Sequence, residues 1–201
     1  YKSRNMESKI RDLRQEIFKF EQLSNFDKND FFVSECNYFA FNLIKSWPNW
    51  EKKILNIYGE RKSGKSHLSE IFLEKEKGIK FKFKDLNEKI FDKVKEYQNI
   101  VIEDFNERCD VETTYSLIDM VEKENKYLLI TSVKAVNEME TRLKDLNSRF
   151  KNILTAKIDK PDDELIYALI VKNFSDNQII LDKKIVNFIC KRIARSYDKI
   201  S

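Results

Sequence analysis

The segment Gly59-Glu60-Arg61-Lys62-Ser63-Gly64-Lys65-Ser66 decides the fold that this sequence predicts. It fits the spacing G-x-x-x-x-G-K-[ST], in which glycines let the backbone wrap around a chain of phosphates. An apolar run at 54–58 precedes the segment and an amphipathic helical pattern follows it, which is the context that a phosphate-binding loop requires. We therefore expect nucleotide contacts from the loop residues Gly59, Ser63, Gly64, Lys65, Ser66 and His67.

Three residues of this loop have separate expected roles. Lys65 reaches the β- and γ-phosphates, and the Ser66 hydroxyl ligates Mg²⁺. His67 lies in the exposed first turn of the following helix and has no catalytic role. The alternative is a chance match on an ordinary strand–turn–helix, which is disfavoured because the chain has only three glycines.

Short apolar runs alternate with helical patterns along much of the chain, which predicts βαβ units and a mostly parallel sheet. Continuous apolar runs at 100–102 and 128–130 predict strands buried on both faces. Alternating lysines at 79–84 predict an edge strand, and Gly78 is expected at a helix C-cap. The predicted strands are 54–58, 79–83, 99–102, 127–131 and 153–158, and the predicted helices are 65–77, 86–96, 112–124 and 138–147.

Pro161, followed by three acidic residues and a helical apolar pattern, predicts a helix start, and we place a domain boundary there. Residues 161–201 are expected to form a small all-helical subdomain. The remaining chain divides into an N-terminal segment, 1–30, and an α/β nucleotide-binding domain, 31–160.

Composition excludes several classes of protein. The 201 residues are 41% hydrophobic and 36% charged, and the net charge is only +4, so any DNA contact is expected to be indirect at most. The single histidine excludes a two-histidine metal site. Three cysteines without metal-site spacing fit a reducing cytosol, so a cytoplasmic location is expected. No window approaches the roughly 18 apolar residues of a membrane-spanning helix, and no membrane association is expected.

An acidic pair, Glu103 and Asp104, follows the third predicted strand. In P-loop ATPases an acidic residue at this place holds the Mg²⁺ shell, and a following carboxylate positions the attacking water. We therefore expect Glu103 to serve the metal and Asp104 to serve catalysis. A second register makes Asp104 the metal-shell residue and leaves no obvious base, and a third interpretation is a solvated acidic turn.

The order of features between residues 32 and 196 resembles the DnaA family of the AAA+ superfamily, in particular its shorter Hda-type regulators. The resemblance implies a P-loop NTPase fold: a parallel sheet flanked by helices, with the helical subdomain as a C-terminal lid. The matching stretches are 30–33, 36–37, 47–50, 59–68, 103–104, 128–132, 145–150, 161–165 and 192–196.

The resemblance also implies site residues outside the loop, for ADP or ATP as the ligand. Arg149 resembles the arginine finger that projects towards a neighbouring subunit's γ-phosphate, and Arg195 resembles the second sensor, which reaches from the lid to the nucleotide. Thr131 or Ser132 would be the first sensor. Without the resemblance, both arginines would be read as surface residues. The residues implied near the adenine are Phe32, Val33 and Asn37.

Two departures from the family pattern argue against self-sufficient hydrolysis. Glu103 stands where the family usually has Asp, and Val133 stands where the initiator has an acidic residue. Whether the chain is itself an enzyme is therefore left open. The sequence ends at Ser201, before any counterpart of the DNA-binding domain that follows the lid in DnaA, and on that ground we expect a regulator and not an initiator.

The peptide Gln15-Glu16-Ile17-Phe18-Lys19-Phe20 resembles the glutamine-plus-hydrophobics motif by which Hda-type proteins bind the sliding clamp. Gln15, Ile17, Phe18 and Phe20 would fill a preformed groove. The alternative is one face of an amphipathic helix, because apolar residues also recur at helical spacing here.

Taken together, the expected function is regulation of replication initiation: on the clamp, the chain promotes hydrolysis of DnaA-bound ATP through Arg149. The expected partners are DnaA and the clamp, with a homodimer as a further option. Two alternatives from other classes are a small P-loop kinase and a DNA-associated AAA+ loading adaptor.

Overall fold

A computed structural model describes residues 31–108 and 110–200. Of these, residues 31–33 belong to one compact unit and residues 34–200 to a second. The clamp-binding peptide at 15–20 and the rest of the N-terminal segment lie outside the described residues, so those predictions stay predictions.

Five parallel strands form the centre of the second unit, in the order β2-β3-β4-β1-β5. The carboxyl ends of all five strands therefore lie along one edge of the sheet. The predicted parallel α/β fold is confirmed. The strands are β1 (Ile54–Tyr58), β2 (Gly78–Lys82), β3 (Asn99–Phe105), β4 (Tyr127–Ser132) and β5 (Leu154–Lys157).

Burial explains the strand order. The apolar runs at 100–102 and 128–130 have almost no exposed surface, as expected for central strands covered on both faces. The edge position of β2 is also confirmed, and its residues Lys80 and Lys82 are exposed.

Helices cover the sheet and continue beyond it. Side-chain caps fix the starts of four of the described helices: Asn87, Asp110, Asp162 and Asp182 each accept a hydrogen bond from a backbone N–H of the first turn, which for Asp162 is that of Leu165 at 2.8 Å. None of the helices in the described part of the chain is long and apolar enough to cross a membrane. The helices are α1 (Tyr38–Ser46), α2 (Lys65–Lys75), α3 (Glu88–Val94), α4 (Val111–Lys123), α5 (Lys144–Lys151), α6 (Asp163–Asp176), α7 (Lys183–Cys190) and α8 (Tyr197–Ile200).

The helical character predicted after Pro161 is confirmed, since α6, α7 and α8 follow one another there. Ile166, Ile170, Val186 and Ile200 form an apolar cluster between these helices. The boundary at 160/161 itself stays a prediction.

The predicted C-cap at Gly78 is wrong. Helix α2 ends at Lys75, and Gly78 is the first residue of β2. A Cβ at this position would lie 2.5 Å from the backbone oxygen of Asn99 and 2.5 Å from Cδ2 of Leu73. The glycine is therefore needed for the close approach of β2 to β3 and α2, not for a left-handed turn.

The helix predicted at 138–147 is wrong in position. The structure has a 3₁₀ turn at Val136–Glu138 and then α5, which begins only at Lys144. Thr141 and Asn147 hold the segment between them. The Thr141 N–H donates to Asn147 Oδ1 at 2.8 Å, and Asn147 Nδ2 donates to the Thr141 carbonyl at 2.9 Å. Such side-chain bonds compete with helix formation.

Candidate nucleotide-binding site

A cavity of about 910 Å³ lies at the carboxyl ends of β1, β3 and β4. In open parallel sheets this edge is where ligands bind. The residues that line it come from the loop and first turn at 61–67, the end of β3 and its loop at 104–108, and Thr131, Val133, Lys134 and Met139.

The backbone of the loop after β1 has the shape of an anion cradle. Lys62 has φ 62° and Gly64 has φ 88°, both in the left-handed region. Gly64 is the N-cap of α2 and supplies no side-chain cap, so the first N–H groups of the helix are directed at the cavity. A Cβ on Gly59 would lie 2.7 Å from the Ile158 carbonyl oxygen, which explains the glycine at the start of the loop.

Lys65 bridges this loop from its inner side. Its Nζ donates to the carbonyl oxygens of Gly59, at 2.9 Å, and Glu60, at 2.5 Å, and to Ser63 Oγ at 3.3 Å. Burial lowers the pKa of Lys65, and the nearby charge of Asp104 offsets part of that effect. All three acceptors are neutral, so a phosphate would be a stronger partner for this ammonium group.

The two acidic residues at the end of β3 lie in different surroundings. Asp104 lines the cavity with Lys65, whereas Glu103 is not among the described lining residues. The cause is an irregularity in the pairing of β3 with β4 between Ile102 and Phe105, where Asp104 takes φ 60°. The role of Glu103 in the metal shell stays a prediction, and so does the second register, with Asp104 in that place.

Thr131, not Ser132, faces the site at the end of β4. Thr131 is buried and lines the cavity, and its Oγ1 accepts a hydrogen bond from the Asp104 N–H at 3.4 Å. The Ser132 hydroxyl is used internally, because it donates to the Lys134 carbonyl at 2.6 Å and accepts from Asn56 Nδ2 at 2.9 Å.

Sequence reasoning missed four cations that line the cavity: Arg61, Lys62, Arg108 and Lys134. Two of them could have been predicted from their positions in the sequence, because Arg108 and Lys134 follow the carboxyl ends of β3 and β4. Lys134 Nζ pairs with Glu107 at 2.9 Å, and this partner raises the pKa of the lysine.

The residues expected near an adenine are not tested by this geometry. Asn37 is buried, and its Oδ1 accepts a hydrogen bond from the Ser34 N–H at 3.0 Å. Phe32 and Val33 belong to the other unit. Their approach to an adenine stays a prediction.

Arg149 lies on α5, outside the lining of the cavity, and its side chain rests on α4. Its Nη2 is 2.9 Å from Asp119 Oδ1, and a second ion pair joins it to Glu122. The guanidinium carbon lies 4.7 Å from the ring centroid of Tyr115. Only 23% of the side chain is exposed, so this arginine is a partly buried, well-partnered group.

Arg195 is not among the described residues that line the cavity, and its approach to a nucleotide stays a prediction. Arg195 Nη2 pairs with Asp163 Oδ1 at 2.9 Å, and both side chains are largely exposed. Arg195 precedes α8, and Asp163 is the first residue of α6. The residue that this subdomain does bring to the loop is Asp198, whose Oδ1 is 3.5 Å from Lys62 Nζ.

The fold and this loop define a class. A parallel sheet with a phosphate-binding loop after its first strand and a helical subdomain at its end is the architecture of a P-loop AAA+ domain. No established family profile matches the chain.

The chain is similar to the chromosomal replication initiator DnaA of Buchnera aphidicola, with 26% identity over 207 residues. That match covers 88% of this chain but only 45% of the relative, so the chain spans less than half the length of the DnaA it matches.

Two solved structures of DnaA are similar to this chain in fold. AMPPCP-bound DnaA from Aquifex aeolicus superimposes with a TM-score of 0.69 at 16% identity, covering 88% of this chain and 62% of that one. Domain III of Thermotoga maritima DnaA gives a TM-score of 0.66 at 19% identity, covering 85% and 82%. The fold of this chain is that of the DnaA AAA+ domain.

Proposed function

We propose that the chain binds ADP or ATP in the cavity at the carboxyl edge of the sheet. The observation that carries the proposal is the loop of residues 59–66, whose left-handed residues and helix N-terminus face the cavity together with Lys65. A phosphate chain placed there would meet backbone N–H groups and an ammonium group. The similarity in fold to a DnaA that carries AMPPCP supports an adenine nucleotide.

The same cavity offers oxygen ligands that suit Mg²⁺. Ser66 and Asp104 both line it and carry a hydroxyl and a carboxylate, and Mg²⁺ in nucleotide sites takes one or two protein oxygens besides the phosphates. The ion would neutralise part of the phosphate charge. Asp104 would hold it, and Thr131 would hold the backbone of Asp104 in place.

Titration calorimetry tests nucleotide binding directly. Lys65→Ala is expected to weaken ADP and ATP binding by about 30- to 100-fold, because it removes a charge-assisted bond to phosphate. Lys52→Ala is the matched control, an exposed lysine that precedes β1 at the opposite edge of the sheet. The proposal fails if the unmodified chain binds neither nucleotide, or if Lys65→Ala binds as the unmodified chain does.

We further propose that the nucleotide-bound chain stimulates hydrolysis of ATP on DnaA, with Arg149 acting across the interface. Arg149 does not line the cavity of its own chain, so a phosphate that it contacts would belong to another molecule. Its guanidinium would neutralise charge on the transferred phosphoryl group. To do so it would exchange Asp119 and Glu122 for the phosphate.

Hydrolysis of DnaA-bound ATP tests this second step. Arg149→Ala is expected to remove the stimulation while nucleotide binding by the chain persists. Arg142→Ala is the control, because Arg142 also pairs with a carboxylate of α4, that of Glu112, but is largely exposed. Equal stimulation by both variants would contradict the trans-acting role. Stimulation between two copies of this chain, without DnaA, would identify a homodimer as the working assembly.

We propose, finally, that residues 15–20 attach the chain to the sliding clamp. Gln15→Ala and Phe20→Ala are each expected to weaken clamp binding in surface plasmon resonance. Leu13→Ala distinguishes the two interpretations of this segment, because Leu13 belongs to the helical pattern but not to the peptide motif. An equal loss in Leu13→Ala and Gln15→Ala would favour the amphipathic helix.

A further inference from the structure

The helical subdomain touches the phosphate-binding loop through a carboxylate. Asp198 Oδ1 lies 3.5 Å from Lys62 Nζ, and both side chains are more than half exposed. Lys62 lines the cavity and has a left-handed backbone, so its position is set by the loop that would hold the phosphates. The contact therefore joins the cavity wall to α8.

Buried neighbours fix α8, and with it the position of Asp198. The Tyr197 hydroxyl donates to the Asp159 carbonyl at 2.9 Å and lies 3.6 Å from Cys36 Sγ. Burial raises the pKa of Tyr197, so this hydroxyl stays protonated and can donate. At the other end, Ile200 is buried in the apolar cluster of the subdomain. Asp198 lies between these two anchors.

A fixed carboxylate at this place opposes the binding of phosphate. It occupies Lys62, which is one of the cations of the cavity wall, and so lowers the positive charge that this wall offers to a phosphate chain. The loss grows with the negative charge of the ligand, because the energy between charges is proportional to their product. A triphosphate is therefore penalised more than a diphosphate.

We propose that Asp198 is a specificity-determining residue, which holds Lys62 and lowers the affinity of the site for ATP relative to ADP. The proposal rests on nucleotide binding in this cavity and adds to it the choice between the two ligands.

Calorimetry with ADP and with ATP, on the unmodified chain and on Asp198→Asn, measures the effect. Asp198→Asn is expected to strengthen ATP binding by about two- to fivefold, as for the loss of one exposed ionic contact, and ADP binding by less. The difference is expected to shrink in high salt, which screens exposed charges. Asp176→Asn is the matched control, with the same change of charge at the exposed end of α6.

The Lys62→Ala variant separates the effect of the contact between Asp198 and Lys62 from the general effect of a changed net charge. In Lys62→Ala, the substitution Asp198→Asn is expected to leave the ratio of ATP to ADP affinity unchanged, because the cation that it would release is gone. An unchanged ratio in Asp198→Asn alone, an equal change in Asp176→Asn, or a gain that persists in Lys62→Ala would overturn the proposal. Near-ultraviolet circular dichroism checks that each variant is folded.

Different results would contradict nucleotide binding and the role of Asp198. If the unmodified chain binds neither nucleotide, the binding proposal falls and the role of Asp198 falls with it. Suppose that both nucleotides bind and that Lys65→Ala weakens their binding. If Asp198→Asn then leaves the ratio of ATP to ADP affinity unchanged, only the proposed role of Asp198 is contradicted.

Discussion

At the scale of single residues, the charge of Lys65 makes nucleotide affinity depend on pH. Burial lowers the pKa of Lys65 in the empty site, and a bound phosphate would raise it again. Between these two pKa values the complex holds more protons than the empty protein. We therefore expect affinity to fall as the pH rises through the lowered pKa, with calorimetry at pH values rising towards the ordinary lysine pKa of about 10.4 as the measurement.

Lys65→Arg is the control for this pH dependence. A guanidinium stays protonated throughout the range, so the slope of affinity against pH is expected to flatten even if binding itself is weaker. A slope in Lys65→Arg equal to that of the unmodified chain would assign the titration to another group.

Gly78→Ala tests the close approach between β2 and its neighbours. The new Cβ would lie 2.5 Å from the Asn99 backbone oxygen, which cannot move without disturbing β3. We expect the free energy of unfolding in urea to fall by about 1–3 kcal/mol. Lys77→Ala, at the exposed neighbouring position, is expected to change it little. Equal stability of Gly78→Ala and the unmodified chain would show that the strands separate at low cost.

The residues of the loop could be predicted from sequence, but the directions of two acidic side chains could not. The spacing of Gly59, Gly64 and Lys65 is local, and each residue is needed by a backbone shape that the motif itself defines. Asp104 turns towards the cavity because the pairing of β3 with β4 is irregular at this point. Its hydrogen-bond partner on β4, Thr131, lies 27 residues further along the sequence. No local pattern at 103–104 encodes that irregularity.

At the scale of elements, Arg149 joins α5 to α4. Its ion pairs with Asp119 and Glu122 and its contact with the Tyr115 ring are partly shielded from water. We expect Arg149→Ala to lower the free energy of unfolding by about 1–2 kcal/mol, and Arg142→Ala to lower it less because its ion pair is exposed. Urea unfolding followed by circular dichroism measures both.

Because Arg149 also stabilises the fold, the hydrolysis experiment must separate a loss of stimulation from a loss of folding. If Arg149→Ala loses stimulation but remains folded at the assay temperature, the loss belongs to the missing guanidinium. If it instead unfolds there, Arg149→Lys keeps a charge at the same place and separates the two explanations. An Arg149→Ala chain as stable as the unmodified one would show that the contacts on α4 contribute little.

Elements were predictable where burial alone decides them. The run at 100–102 lies in β3 and the run at 128–130 in β4, because a central parallel strand is apolar on both faces. Helix α5 was misplaced because the pattern at 138–147 ignores the bonds between Thr141 and Asn147. Those bonds join residues six positions apart and satisfy backbone groups that a helix would otherwise use.

At the scale of the whole second unit, one polar cluster connects the sheet to the helical subdomain. The Cys36 carbonyl accepts a hydrogen bond from the Asp159 N–H at 2.9 Å, and the Cys36 N–H donates to Asp162 Oδ2 at 3.2 Å. Tyr197 closes the cluster from α8. The start of the unit, the segment after β5 and the last helix therefore meet at one place, which fixes how α8 faces the phosphate-binding loop.

Tyr197→Phe is the prediction at this scale. It removes the donor to the Asp159 carbonyl and keeps the buried ring, so the free energy of unfolding is expected to fall by about 1 kcal/mol. Hydrogen exchange should become faster first in α8 and in the segment after β5, before the amides of β3 and β4 change. Tyr38→Phe, at an exposed position on α1, is the control and is expected to leave exchange unaltered. Unchanged exchange in α8 of Tyr197→Phe would mean that the apolar packing of Ile200 alone holds the helix, and Asp198 would then owe its position to that packing.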